Sequence, residues 1–441
     1  MRALAGRAAE IKLVRTPEQR VRIALESYAN GGDRWVATAQ MSKEVQGQNG
    51  PRCASSLGGI SHVLKALVLC LTPVVISACR ESDRASETVT FRDSAGVTIA
   101  ENAGPSWVSG RAWRVDTVPE LVIGVLDGAP EYVLDGIGGA TRLSDGTIAL
   151  GQQHEIRYFD KEGHHIRTVG RRGQAEGEFG AARLVRLAGD SLGVVDITNQ
   201  RFTVLDEFGR LVSTVRLPQP MTVLSVRGVF ADRSLIGTAP RYRFPTAAQS
   251  GAEWDSITVL RFHLGATEYD TVAVLPYFSR SHHQDFALNA VLVPTQRGYW
   301  YGVGERYELM FHEPDGTVTR ILRAPYPAVE ISEEVRARHQ EVQRELAASG
   351  RWTAEGDLPD FQPAYRFAVS DVDNNLWVWS PLSYEEGLPP WVVFDEDGRL
   401  LGQVAPPNRS VPFEIGSDYF LTSDWDEYGV EYLHLYRIVK P

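Results

Sequence analysis

Tyr158-Phe159-Asp160-Lys161-Glu162-Gly163 decides the fold, because its pattern returns three more times. The copies are Val204-Leu205-Asp206-Glu207-Phe208-Gly209, Met310-Phe311-His312-Glu313-Pro314-Asp315-Gly316 and Val393-Phe394-Asp395-Glu396-Asp397-Gly398. Each is an apolar pair, an acidic or polar turn and a glycine. That order ends a strand in a tight turn, with the Asp side chain capping the turn and Gly taking the positive-φ position. A β-rich run follows every copy: Ile166 to Val169, Leu211 to Val215, Val318 to Leu322 and Leu400 to Val404.

Working outward, a second marker precedes these hairpins by about 17 residues. It reads Leu143-Ser144-Asp145-Gly146-Thr147-Ile148, Leu187-Ala188-Gly189-Asp190-Ser191-Leu192 and Val372-Asp373-Asn374-Asn375-Leu376-Trp377, with weaker copies at Phe230 to Leu235 and Thr295 to Trp300. Each unit is therefore strand, turn, strand, strand, turn, strand, which is a four-stranded antiparallel blade. Gly146 and Asp190 lie 44 residues apart and Asp190 and Arg233 lie 43 apart, the usual span of one propeller blade. Five blades begin near Ala140, Ala182, Leu224, Leu288 and Ala364, and a sixth near Phe413 stops after its third strand, Tyr432 to Val439. Leu121-Val122-Ile123-Gly124 supplies the missing strand, so the chain ends pair and the ring has no open gap.

The expected fold is thus all-β: a six-bladed β-propeller of four-stranded antiparallel blades, closed by an N-terminal strand, with one inserted helix between blades four and five. The helix spans about residues 331–349, where Val335, His339, Val342 and Leu346 recur on one face, Glu333 and Glu334 suit the N-terminal dipole and Gly350 follows as a stop. Its apolar face needs a partner, and the propeller top is the expected one.

The N-terminal part reads differently. Val63 to Ala78 is the only long apolar stretch, but Lys65 and Pro73 interrupt it and it falls short of the roughly 20 residues of a membrane span. It suits the apolar region of a secretion signal. It ends in Ile76-Ser77-Ala78-Cys79, which resembles the lipobox of bacterial lipoproteins, so Cys79 is the expected lipidation site. All three cysteines, Cys53, Cys70 and Cys79, lie at or before that point, which leaves the mature domain without a thiol pair. The expected organisation is an N-terminal extension at 1–60, a signal segment at 61–79, a tether and lead-in at 80–105 and the propeller at 106–441. The extension is too long for an ordinary signal start, which fits a translation start at Met41 or nearer Val63, the alternative being a cytoplasmic tail. The expected address is extracytoplasmic, on a bacterial membrane.

The lipobox, Asp93-Ser94-Ala95-Gly96-Val97 with Glu101-Asn102-Ala103-Gly104, Val169-Gly170-Arg171-Arg172-Gly173 with Gly177-Glu178-Phe179, and Phe394 to Leu401 together resemble a family of bacterial six-bladed β-propeller lipoproteins. NHL-repeat propellers are its better-known relatives. The resemblance covers about residues 88–441; the Gly-rich connection is missing in blades three and four. It implies a fold and an extracytoplasmic address, and no particular activity.

A net charge of -11, with no basic run after residue 85, excludes nucleic acid, since phosphate contacts need clustered Lys and Arg. The G-x-S-x-G string Gly189-Asp190-Ser191-Leu192-Gly193 falls in a turn marker between two strands and so is no strand-to-helix elbow, and no H-E-x-x-H, Walker loop or C-x-x-C is present. Aligning the innermost strands on their turn markers places Arg142 and Arg186 at one equivalent position. Arg227 and Arg366 fall two and four residues earlier in register, so strand parity puts all four on one face. On the channel side they form a cationic ring for a carboxylate or phosphate; alternatively they pair with carboxylates such as Asp145, Glu414 or Asp418. His282 and His283 precede an inner strand near Asp285, but adjacent residues of an extended chain point to opposite sides, so a polar loop is expected there. Asp371, Asp373 and Asn375 form a blade turn, lacking the Gly and distal Glu of a calcium loop. Trp300, Trp377, Trp379 and Trp391 alternate with polar residues at strand spacing and read as packing between blades, with exposure the alternative for Trp391 beside Pro389-Pro390.

The function expected is an exported, lipid-anchored binding or scaffolding module for a protein partner on its loop face or a small anionic ligand in its channel. No cofactor is expected, and no donor set supports a divalent metal. The alternative is a propeller enzyme of the hydrolase, lyase or sugar dehydrogenase type, with its site at the channel and the helix as a lid.

Overall fold

The computed structural model describes residues 25–27, 35–37 and 88–441, the last apart from 109, 218–224, 242–253, 267, 280–285, 287, 289, 350–357 and 380–387. Leu25–Ser27 and Trp35–Ala37 form a short antiparallel pair within the first of two compact units, 1–86 and 87–441. The rest of the extension, the signal segment with Cys79, and His282, His283 and Asp285 lie outside the described residues.

Six blades follow one another from residue 137. Their innermost strands are Ile137–Arg142, Arg183–Arg186, Ser225–Val229, Val291–Pro294, Phe367–Ser370 and Glu414–Ile415. Blades one to five each add three antiparallel strands in sequence order, ending at His165–Val169, Leu211–Arg216, Asp270–Ser279, Val318–Arg323 and Leu400–Val404. Blade six has Tyr419–Trp425 and Glu431–Val439, and Leu121–Ile123 completes it by pairing antiparallel with Leu433 to Leu435. The chain ends therefore meet in one sheet, as the incomplete sixth repeat requires.

The turn chemistry repeats as the sequence dictates. Asp160 Oδ1 accepts the N–H groups of Glu162 and His164 at 3.0 and 2.8 Å, Asp206 those of Phe208 and Arg210 at 3.0 and 2.8 Å, and Asp395 those of Asp397 and Arg399 at 3.0 and 2.8 Å. Gly163, at φ 86°, is left-handed, a region open to Gly at no steric cost.

No blade has a core of its own. Six buried clusters lie on the six seams: one joins Trp300 and Phe311 of blade four to Leu376 and Phe394 of blade five, and another joins Leu421 and Leu433 of blade six to Ala140 and Leu150 of blade one. Trp391 follows the packing reading and not the exposed alternative. It opens the third strand of blade five, is fully buried and stacks on Trp379 at 4.9 Å, because the prolines before it lie outside the strand.

The lead-in makes more contacts than ring closure needs. Val97–Asn102 adds to the outer strand of blade four in parallel, Arg320 facing Thr98, and Val89–Ser94 pairs back on it, so that sheet has six strands. Ser106 and Trp107 then donate to Leu400 and Leu401 on the edge of blade five, and Arg114–Val115 pairs with the last strand of blade six. The segment thus covers the outer edges of three consecutive blades, and a covered edge cannot template pairing with another chain.

The helix is Glu333–Ala348. Ser332 Oγ accepts from the Val335 N–H at 3.2 Å, as an N-cap does. Its inner face packs Val335 with Ile331, Leu358 and Phe286, and buried His339 meets the Phe286 ring edge-on at 5.5 Å. Phe286 leads into blade four, so the helix packs against the chain that enters that blade.

Candidate functional site

Antiparallel order gives every blade two ends. Turns after the first and third strands share one end, and connections after the second and fourth share the other. At the first end every turn is three to six residues long. At the second lie the long connections: 124–136, 170–182, 242–253, 280–290, 380–390 and 324–366, the last carrying the helix. One face is therefore built of tight turns and the other carries the long connections.

The short-turn face is stitched from blade to blade. Ser144 N–H donates to Asp190, Ala231 N–H to the Gln296 carbonyl, Gln296 N–H to Asn374 Oδ1 and Val372 N–H to the Ile415 carbonyl. Asp371, the predicted turn residue, is buried and accepts from Asp373 N–H at 3.0 Å, Asn375 N–H at 2.8 Å and Trp377 Nε1 at 3.1 Å. Burial raises its pKa, against the hydrogen bonds from Asn375 and Trp377.

Arg142 and Arg186 end the inner strands of blades one and two on this face, and the structure brings them together. Arg186 Nη1 donates to the Arg142 carbonyl at 2.9 Å and to Glu414, and its Nη2 donates to Asp190 at 3.3 Å. Arg142 reaches Asp418 at 3.4 Å and lies over the Tyr419 ring at 5.0 Å. Tyr419 Oη donates to Glu414 Oε1 at 2.6 Å. Burial opposes the charge on Arg186, yet the Glu414 carboxylate raises its pKa; burial and Glu414 together push the Tyr419 hydroxyl up, so it stays a donor. Two guanidiniums face three carboxylates, Asp190, Glu414 and Asp418. Arg227 and Arg366 are engaged within their own blades: Arg227 Nε donates to Thr238 at 3.1 Å, and Arg366 lies over the Phe367 ring at 5.7 Å. Asp145 caps its own turn through the Thr147 N–H at 2.8 Å.

Sequence reasoning missed the cleft on the loop face. About 500 Å³ of space opens at the seam of blades four and five, between the turn 303–307, the end of Val318–Arg323 and the chain leading into blade five. Arg323 and Glu308 of its lining belong to an ion network: Arg323 donates through Nε to Glu308 at 2.6 Å and through Nη1 to Glu101, outside the lining, at 2.7 Å. Burial would lift the Glu101 carboxyl, but Arg92 and Arg323 hold it below the usual carboxylate range. One wall is aromatic, with Tyr307 and Tyr326 4.8 Å apart and Tyr365 and Phe394 behind Tyr307. Backbone bonds clamp the frame: Ala324 N–H to the Tyr307 carbonyl at 3.0 Å and Ala364 N–H to the Gly304 carbonyl at 2.7 Å. Gly304 has φ 68°, and a Cβ there would lie 2.6 Å from the Tyr365 carbonyl oxygen, so this close approach requires glycine. On the rim, Glu305 and Arg306 are exposed and have no ion-pair partner among the described residues. Glu101, 305–308, 323–326 and 362–364 come from four parts of the chain, so no local motif announces them.

Among the described residues no group of three or more His, Cys, Asp or Glu could hold a metal ion, and no helix is long and apolar enough to cross a membrane. No protein-family model matches the sequence, and no curated protein matches it. Solved structures with a similar fold include a candidate exported protein from Bacteroides fragilis, 11% identical over 78% of this chain and 99% of that one, with a TM-score of 0.41. A DUF4221 member from Bacteroides vulgatus is 12% identical over 75% of this chain and 99% of its own, at a TM-score of 0.42. Virginiamycin B lyase from Staphylococcus aureus is 8% identical over 73% and 88%, at 0.34. Likeness at this level carries no argument about activity.

Proposed function

We propose that the chain is a binding propeller, held at a membrane surface through lipidated Cys79, that receives its ligand or partner on the loop face. The asymmetry of its connections carries this reading. Loops tolerate the side chains that recognition needs when a rigid scaffold positions them, and here the scaffold places every long connection and the 500 Å³ cleft at one end. At the other end Arg142 and Arg186 are already taken up by Glu414, Asp418 and Asp190. An incoming anion there has to displace carboxylates held close by the fold.

A thermal-shift screen of residues 80–441 against carboxylates, phosphates, sugars and divalent metals tests it, run beside Arg306→Ala and Tyr326→Ala on the loop face and Arg142→Ala and Arg186→Ala on the turn face. A ligand at about 100 times its dissociation constant stabilises the folded protein by about 2.7 kcal/mol, enough to move the midpoint measurably. The expected ligand shifts wild type and both turn-face variants but loses its effect in the loop-face variants. The opposite pattern would move the site to the arginine cluster. Membrane fractionation of the full chain with Cys79→Ser checks the anchor: the variant is expected to leave the membrane fraction.

A further inference from the structure

We infer that the cleft at the seam of blades four and five is a saccharide site, a conclusion that rests on the loop face being the binding face and names its ligand class. The charges decide first. The lining holds two carboxylates, Glu305 and Glu308, and two guanidiniums, Arg306 and Arg323, so it offers no net field to select an ion. Arg323 is fixed between Glu308 and Glu101. A phosphate or carboxylate entering next to it meets those two acidic groups, and a cation meets Arg323 and Arg306. An apolar ligand would strip water from all of these without replacing their hydrogen bonds, which is costly.

A neutral ligand dense in hydroxyls meets neither objection. Its hydroxyls can donate to Glu305, accept from Arg306 and do both with the Gln362 amide, while the apolar face of a sugar ring lies on an aromatic wall. Tyr326 provides that wall: it is half-buried, held against Tyr307 at 4.8 Å, and its hydroxyl accepts from Gln403 at 3.4 Å. The volume lies within the range of small-molecule pockets. A zwitterion could pair with Glu305 and Arg306, but both are exposed, and exposed ion pairs add little; the half-buried ring sets the preference.

The test is calorimetric titration and saturation-transfer NMR of the full chain with glucose, N-acetylglucosamine, maltose and cellobiose, and with glycylglycine and inorganic phosphate for comparison. At least one saccharide is expected to bind. Tyr326→Ala should weaken it about tenfold, by loss of the ring contact, whereas Tyr326→Phe should stay within about threefold. Arg306→Gln should weaken it several-fold, and Lys161→Ala on the turn face should leave it unchanged. Normal thermal unfolding of each variant separates lost binding from lost folding. Absence of binding by every saccharide, or saccharide binding indifferent to Tyr326→Ala, would overturn the inference. Glycylglycine binding that depends on Tyr326 would overturn the ligand class and keep the loop face; binding lost only in turn-face variants would overturn both.

Discussion

Single aspartates carry much of the turn architecture, and their charge state links it to pH. Asp232, in the first turn of blade three, accepts from the Ser234 N–H at 2.9 Å, the Ser234 hydroxyl at 2.6 Å and Arg261. Burial would raise its pKa, but the Ser234 bonds and Arg261 hold it down at about 2 against an ordinary 3.8. A carboxyl depressed in the folded state stabilises it above the unfolded pKa and stops doing so as pH falls through the folded one. Thermal midpoints measured across an acid series are therefore expected to drop between about pH 4 and about pH 2. Asp232→Asn should start lower at neutral pH and fall less steeply; a curve parallel to wild type would show that Asp232 contributes nothing to the acid response. Residues of this kind were legible in advance because a turn Asp acts on its own backbone, although in this turn Arg233, at φ 64°, takes the positive-φ position that Gly146 takes in blade one. Trp391 was left between two readings for a related reason: its local sequence shows two prolines, whereas its burial comes from a stack with Trp379 and from the neighbouring blade.

Elements were legible where their partners are close in sequence and obscure where they are far. Every blade strand except the closing Leu121–Ile123 pairs with its chain neighbour, so hairpin markers placed the inner strands within about three residues. The hairpin Val89–Asn102 docks in parallel on a strand more than 200 residues away, and nothing in its composition names that partner. Asn102 is the fastening. Its buried amide donates to the Arg323 carbonyl at 2.8 Å and the Gly398 carbonyl at 2.9 Å and accepts from Leu400 N–H at 2.7 Å, so it ties the lead-in to blades four and five together. Asn102→Ala strands three buried backbone groups and is expected to cost about 2–4 kcal/mol in denaturant unfolding. Asn102→Asp should do no better, since it keeps the acceptor and sets a carboxylate against two carbonyls. A variant Asn102→Ala as stable as wild type would mean that the sheet pairing alone holds the hairpin.

At the scale of the whole molecule, a closed ring differs from a row of repeats in having no terminal unit. A linear array loses its end repeats first, because each end has one neighbour. Here Ile123, Leu421 and Leu433 of blade six share a buried cluster with Ala140 and Leu150 of blade one, so the seam made by the two chain ends has the same construction as the other five. The seam itself could be read from the unfinished sixth repeat. The cleft could not, since it exists only once the ring brings Glu101 beside Arg323 and Ala364 beside Gly304. If every seam is equivalent, weakening the closing one should lower the stability of the whole ring and not release one blade. Ile123 is 2% exposed, and Ile123→Ala deletes buried side-chain volume worth about 2–5 kcal/mol. Calorimetry of the variant is expected to show one transition, shifted down, with the ratio of calorimetric to van't Hoff enthalpy unchanged from wild type. A second, earlier transition would mean that blades six and one separate on their own and that the closing strand is a clasp on a linear stack. Because the loop face takes its geometry from the ring, such a separation would also predict loss of ligand binding at temperatures where blades two to five remain folded.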